Sequence, residues 1–293
     1  MPSADAPRPL HAPYAGRHAP FSIAMAPLDP ADWLEFDGNR HAELAQKRAI
    51  FATGDAFRAA PDTEAAQTEA LGLIEAHLVG RGILPAIERT SGPPLLDAAL
   101  AVQDDLILMR QGEDGLWHLA AAALAFPSAW SLAEKFARPM DTIHADVPGW
   151  AGPMGMRVKR IFDALRPDQL VWRLNWSIQF GGGLRRPRSK HEASPPPDPA
   201  APILLRVERQ TLRKLPETGD LLFTVKVLLD PVDAFAAHPE GPQLAAALRR
   251  RLMELDAAQL SYKALTVERD RVVAALDRFA AVDEGLEPGA VAG

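Results

Sequence analysis

The sequence predicts an α+β domain, one antiparallel sheet with helices packed on it. Three observations predict it. Five apolar segments suited to strands begin near residues 104, 116, 170, 203 and 221. The first two and the last two are joined by short turns that contain glycine. Helical periodicity falls before the first strand, between the second and third, and after the fifth. Strands that follow one another through hairpins lie antiparallel, whereas a parallel sheet would need a crossover between each pair.

The elements follow in order. Residues 1–20 hold prolines and charges where a signal peptide needs an apolar stretch, so they read as a flexible arm. Pro30 to Leu34 predicts a short helical turn. Arg40 to Phe51 is an amphipathic helix with Leu44, Ala45, Ile50 and Phe51 on or near one face. Asp62 is read as the N-cap of a second helix that carries Leu71, Leu73, Ile74 and Leu78 to Gly80. Leu106 to Arg110 and Leu116 to Leu119 make a hairpin around Gly112 and Gly115, although the alanines that follow weaken its second strand. Ser128 to Arg138 reads as helical, with Ser128 or Ser131 as a cap ahead of Glu134. Met154 to Leu165 is another helix, stopped by Pro167.

Leu170 to Ile178 alternates, with Trp172, Leu174 and Trp176 on one face and Arg173, Asn175 and Ser177 on the other. Gly181 to Pro202 holds three glycines, a basic run and three consecutive prolines. It reads as a flexible connection, mobile and dispensable from Arg185 to Ala201. Ile203 to Leu212 and Leu221 to Leu229, around a turn at Pro216 to Gly219, form the clearest hairpin. Gln243 to Ala281 is helical with a break near Tyr262 to Thr266. The chain therefore divides into an arm (1–20), a single domain (21–280) and a tail (281–293).

Composition narrows the function. A hydrophobic content of 47% supports a real core, and a net charge of −6 gives no basic field for nucleic acid or anionic membrane. With no cysteine, the chain holds no disulfide, thiolate zinc site, iron–sulfur cluster, or thiolate-bound or covalent heme. No run approaches the ~20 apolar residues of a membrane span, so a soluble cytoplasmic protein is expected. Neither a dinucleotide-binding glycine motif nor a Walker loop is present.

Of the eight histidines, His11, His18, His41, His77, His191 and His238 are expected to be solvated. His118 sits in a strand beside Trp117 and reads as packed or solvated. His144 ends a helix-like segment just before Ala-Asp-Val-Pro148-Gly149 turns the chain away. An imidazole at such a junction suits a metal ligand, although spacing alone favours an ordinary helix-terminal histidine.

Three blocks in order bear on that choice: FPSAWSLAEKFARPMDTIHADVPG (126–149), RLNWSI (173–178) and RVERQTLRKLPETGDLLFTVKV (206–227). With PLDPADWLEFDGNRHAELAQKRAIF (27–51) and QDDLILMR (103–110) ahead of them, the chain resembles the heme-dependent oxidative N-demethylase family over residues 20–270. It departs from the family pattern at Ala137, where glycine is expected, and at Asp146, where proline is expected.

The resemblance implies a PAS-like fold holding non-covalent heme b through His144 as iron ligand. It implies oxidation of an N-methyl group of a small secondary amine, typified by dimethylamine, releasing formaldehyde. Electrons would come from NAD(P)H through a separate reductase with flavin and iron–sulfur centres, which a chain without cysteine cannot hold. Lys135, Arg138 and Arg173 are then candidate partners of the heme propionates, Trp130, Trp172 and Trp176 candidate walls of the heme or plain core, and Glu208 a candidate substrate anchor. Glu208 shares a strand face with Arg206 and Gln210, a row that suits either a pocket or open water. The alternative function is a heme-binding sensor or ligand-binding module without turnover, and a third is a heme-free structural relative.

Overall fold

The computed structural model describes residues 11–188 and 196–280. Its strands are β1 (Ala26–Pro27), β2 (Phe57–Ala59), β3 (Asp105–Gln111), β4 (Trp117–Ala123), β5 (Leu170–Phe180), β6 (Ile203–Lys214) and β7 (Leu221–Pro231). They form one antiparallel sheet in the order β1-β5-β6-β7-β3-β4-β2. All five expected strands are present, but the sheet has seven. The two extra strands are too short to show alternation and exist because longer neighbours offer free edges. Ala26 pairs with Trp172, and Phe57 to Ala59 pair with Ala123 to Ala121. The alanine run that weakened β4 on paper is paired on both sides and buried.

The helices are α1 (Arg40–Phe51), α2 (Glu64–Gly80), α3 (Pro94–Ala99), α4 (Leu132–Lys135), α5 (Met140–Ile143), α6 (Gly155–Ala164), α7 (Gly241–Met253), α8 (Ala257–Tyr262) and α9 (Arg269–Ala280). Alternation along the strands gives the sheet two faces. One is covered by α1, α2 and α3 around Leu106, Leu108 and Leu222, and by α7 and α9 around Ile178, Leu205 and Val207. The other carries Ile107, Met109, Leu212 and Leu221 beneath Met140, Trp150 and Phe162. Each fully buried leucine contributes about 1.5–3 kcal/mol, so both faces are held firmly.

Several local expectations change. The helix expected over Ser128 to Arg138 shrinks to α4, because Ala129 has a positive φ of 56° and Ser128 bridges to Arg186. Ser131 makes no side-chain capping bond. Thr63, not Asp62, occupies the cap of α2, and Asp62 pairs with Arg110 at 2.8 Å. The C-terminal helical segment is broken twice, the second piece starting at an Asp256–Gln259 capping box.

The described part of the expected arm is anchored at Tyr14, while residues 15–19 are exposed. Tyr14 is fully buried, and Arg251 donates to the carbonyls of Tyr14 (3.3 Å) and Gly16 (2.6 Å). Arg185, at the start of the expected flexible connection, is tied to the Ala125 carbonyl (3.2 Å) and Asp55 (3.0 Å). Residues 1–10, 189–195 and 281–293 lie outside the described residues, and with them the rest of those expectations. Among the described residues no helix is long and apolar enough to cross a membrane.

Candidate functional site

A cavity of about 1410 Å³ lies on the second face of the sheet. Its floor is Ile107, Met109, Arg173, Glu208, Gln210, Phe223 and Val225, and its roof includes Met140, His144, Trp150, Met154 and Phe162. Pockets for small ligands usually run to ~300–1,000 Å³, so this one has room for a macrocycle and a small molecule beside it.

His144 is on the cavity wall at the C-terminal end of α5. Its Nδ1 lies 2.9 Å from the Met140 carbonyl, one turn back. An acceptor there places the proton on Nδ1 and leaves the lone pair on Nε2, the form in which imidazole binds iron. The ring is stacked on Trp150, centroids 4.3 Å apart and planes 16° from parallel. Trp150 is fixed in turn by its indole N–H, which donates to Asp141 at 3.0 Å. Gly149, with φ of 85°, supplies the reversal that brings Trp150 back over His144.

Of the other described histidines, His18 also borders the cavity, on an exposed stretch, and the rest fall elsewhere. His118 is bonded to Asp114 (3.0 Å) and the Ala137 carbonyl (3.3 Å) and is absent from the cavity wall. His11 pairs with Glu35 at 2.8 Å, and burial against Trp33 lowers the pKa of His77, so neither is simply solvated. His191 lies outside the described residues. Among the described residues no group of three or more His, Asp or Glu could hold a bare metal ion. A heme needs only one protein ligand, and the cavity and His144 fit it.

The floor is polar where β5 meets β6. Glu208 accepts from Gln210 (2.9 Å) and Asn175 (3.3 Å) through one oxygen. Its other oxygen is 3.7 Å from Nε of Arg206. Arg206 is 1% exposed and donates to the carbonyls of Leu184 (2.9 Å) and Phe126 (2.7 Å). Arg173 stands opposite Gln210 in the β5–β6 register, and its buried Nε has no acceptor. Burial lowers its pKa, against the pull of Glu208. Asp105, also on the wall, accepts from the amides of Ala125 (2.8 Å) and Phe126 (2.9 Å), and burial raises its pKa to about 6.

Lys135 lines the cavity 4.8 Å over the Trp130 ring. Arg138 is exposed and is not on the wall; its backbone pairs with Leu119 at the edge of β4. Trp176 borders the cavity, but its ring packs edge-on against Tyr14 at 6.4 Å, within the core cluster of the opposite face. Ala137 has φ of 61°, a conformation natural to the glycine expected there.

Sequence reasoning missed Trp150 and Lys263. Lys263 donates to the Trp176 carbonyl at 2.6 Å, lies 4.5 Å from that ring and 5.1 Å from Phe21, and burial lowers its pKa to about 8. Nothing local in the sequence marks it, because its surroundings come from residues far away in the chain. Trp150 had a signal, the glycine just before it. The model of the family described as haem-dependent oxidative N-demethylase, alpha subunit-like, matches residues 84–273, a span that holds His144, Arg173, Glu208 and Lys263, and the chain belongs to that family.

Proposed function

We propose that this chain is the heme-binding oxygenase component of an amine demethylase, acting on a small secondary or methylated amine. The observation that carries the reading is His144, held with its lone pair on Nε2 in the wall of a cavity large enough for heme and substrate together. The five long strands, with helices between the second and third, support a PAS-like core. The absence of cysteine favours heme b bound without a covalent link.

Bound heme would supply the activation of O₂. One oxygen atom enters a C–H bond of the N-methyl group, and the other leaves as water with two electrons and two protons. The hemiaminal so formed separates into formaldehyde and the demethylated amine. The electrons come from NAD(P)H through a separate reductase bearing flavin and an iron–sulfur cluster.

This chain's own residues bind and orient. His144 would hold the iron of a bound heme, and Trp150, stacked on it, fixes the ring. Lys135, together with Arg186 and Arg188 on the cavity wall, offers cations for the propionates; Arg138 is exposed and does not line the cavity. Glu208 replaces the hydration of the substrate ammonium and so positions the methyl group. Three strand spacings of ~4.8 Å, about 14 Å in all, separate β6 with Glu208 from β4, against which the residues before α5 pair.

The test combines heme-loaded protein, a flavin/iron–sulfur reductase and NAD(P)H. Formaldehyde should form in step with dimethylamine added. An amine-dependent change in the heme spectrum without formaldehyde would instead make the protein a ligand-binding module.

A further inference from the structure

We infer that the Arg173–Glu208 end of the cavity is built for a methylated amine that also carries a carboxylate, an N-methylated amino acid, rather than for a bare dialkylamine. The inference rests on the reading of the cavity as an amine site and narrows its substrate class.

The geometry is that of a zwitterion site. Arg173 is paired with Gln210, and Glu208 with Asn175, so Arg173 and Glu208 are diagonal neighbours on the same face of adjacent strands. Such neighbours are about 7–8 Å apart at the backbone, and long side chains reach across the gap. Among the described residues no carboxylate comes within ion-pair distance of Arg173, while Glu208 is engaged by Arg206 at 3.7 Å. A guanidinium buried without an anion is costly, and its place on a cavity wall shows where the anion belongs.

Charge balance points the same way. Arg173, Arg206 and Lys263 all act on or beside Glu208, and among the described residues Asp105 is the other carboxyl that acts on Arg206, where Arg186 adds a further cation. Even with Asp105 ionised, and before Arg186 is counted, three cations face two anions. A simple alkylammonium would add a further positive charge in a poorly solvated place. An amino acid with a methylated nitrogen adds no net charge: its ammonium meets Glu208 and its carboxylate meets Arg173.

Isothermal calorimetry on the heme-loaded protein tests this with dimethylamine, N-methylglycine and acetate as probes. N-methylglycine should bind roughly tenfold or more tightly than dimethylamine, as expected for one gained charge-assisted contact. Arg173→Gln should erase that preference with the Soret band retained, Arg173→Lys should restore part of it, and Glu208→Gln should weaken both amines. Equal or tighter binding of dimethylamine by the unaltered protein overturns the inference. So does an Arg173→Gln variant that loses heme affinity while keeping the preference, since Arg173 would then serve a propionate. Failure to take up heme defeats the proposed function alone, and the same comparison on heme-free protein still decides the substrate class. Binding of neither amine to either form overturns the inference too.

Discussion

Gly155→Ala is expected to destabilise the protein and loosen its hold on heme, although helix propensity alone predicts the opposite. Gly155 opens α6 with φ of −59° and ψ of −43°, where alanine is favoured by ~1 kcal/mol. The added Cβ, however, would lie 2.6 Å from the Trp150 carbonyl oxygen and 3.3 Å from Cε2 and Nε1 of its ring. The nearest obstacle is backbone, which cannot swing aside, and forced packing of this kind costs about 1–3 kcal/mol. The clash should win by up to about 2 kcal/mol, a fall in Tm of up to about 4–8 °C for a domain of about this size. Gly72 in α2 is the control, because a Cβ there meets nothing within 4 Å. Gly72→Ala should gain about 0.5–1 kcal/mol. Thermal melts of both variants, followed by heme titration, separate the effects. Displacing Trp150 disturbs the ring stacked on His144, so only Gly155→Ala should weaken heme uptake. If Gly155→Ala melts as high as Gly72→Ala and keeps its heme, the role given to Trp150 is wrong.

Ala137→Gly should raise stability by about 0.5–1 kcal/mol, since the strain of a left-handed alanine exceeds the added chain entropy; a lowered melting temperature would contradict this. Lys263 should make stability rise with pH between about 8 and 10.5. Its folded pKa is depressed, so in that window the unfolded chain binds more protons and the burial penalty fades as pH increases. Urea melts at intervals across the window should show the rise in the unaltered protein and its loss in Lys263→Met; parallel curves would rule it out. Glu208→Gln should keep heme and fold while weakening amine binding roughly 10- to 150-fold. A lower Tm with unchanged amine affinity would reduce Glu208 to a partner of Arg206.

What sequence pattern could reveal here was set by local periodicity. Arg206, Glu208 and Gln210 could be placed on one face before any coordinates, because β6 alternates along its length and pairs with β7 through a short turn. The same alternation separated Trp176 from Arg173, but it could not say which face would meet the cavity. That depended on α7 and α9, from the other end of the chain, taking the tryptophan side. The lost helix near Ser128 shows tertiary pairing overriding propensity, since the bridge to Arg186 spans 58 residues. Ala137 worked in the other direction: a departure in sequence marked a backbone position whose positive φ gives the glycine preference a physical reason. The Arg173, Glu208 and Lys263 cluster was only partly foreseeable, because its charge balance exists only once three distant segments meet.

The most direct test of the account is the absorption spectrum of protein expressed with heme precursor, compared between His144→Ala and His118→Ala. His144 is on the cavity wall with Nδ1 engaged by the Met140 carbonyl, whereas His118 is spent on Asp114 and the Ala137 carbonyl. The account predicts that His144→Ala loses most or all of the Soret band and that His118→Ala keeps it nearly intact. The reverse pattern, or a full Soret band in His144→Ala, would contradict it.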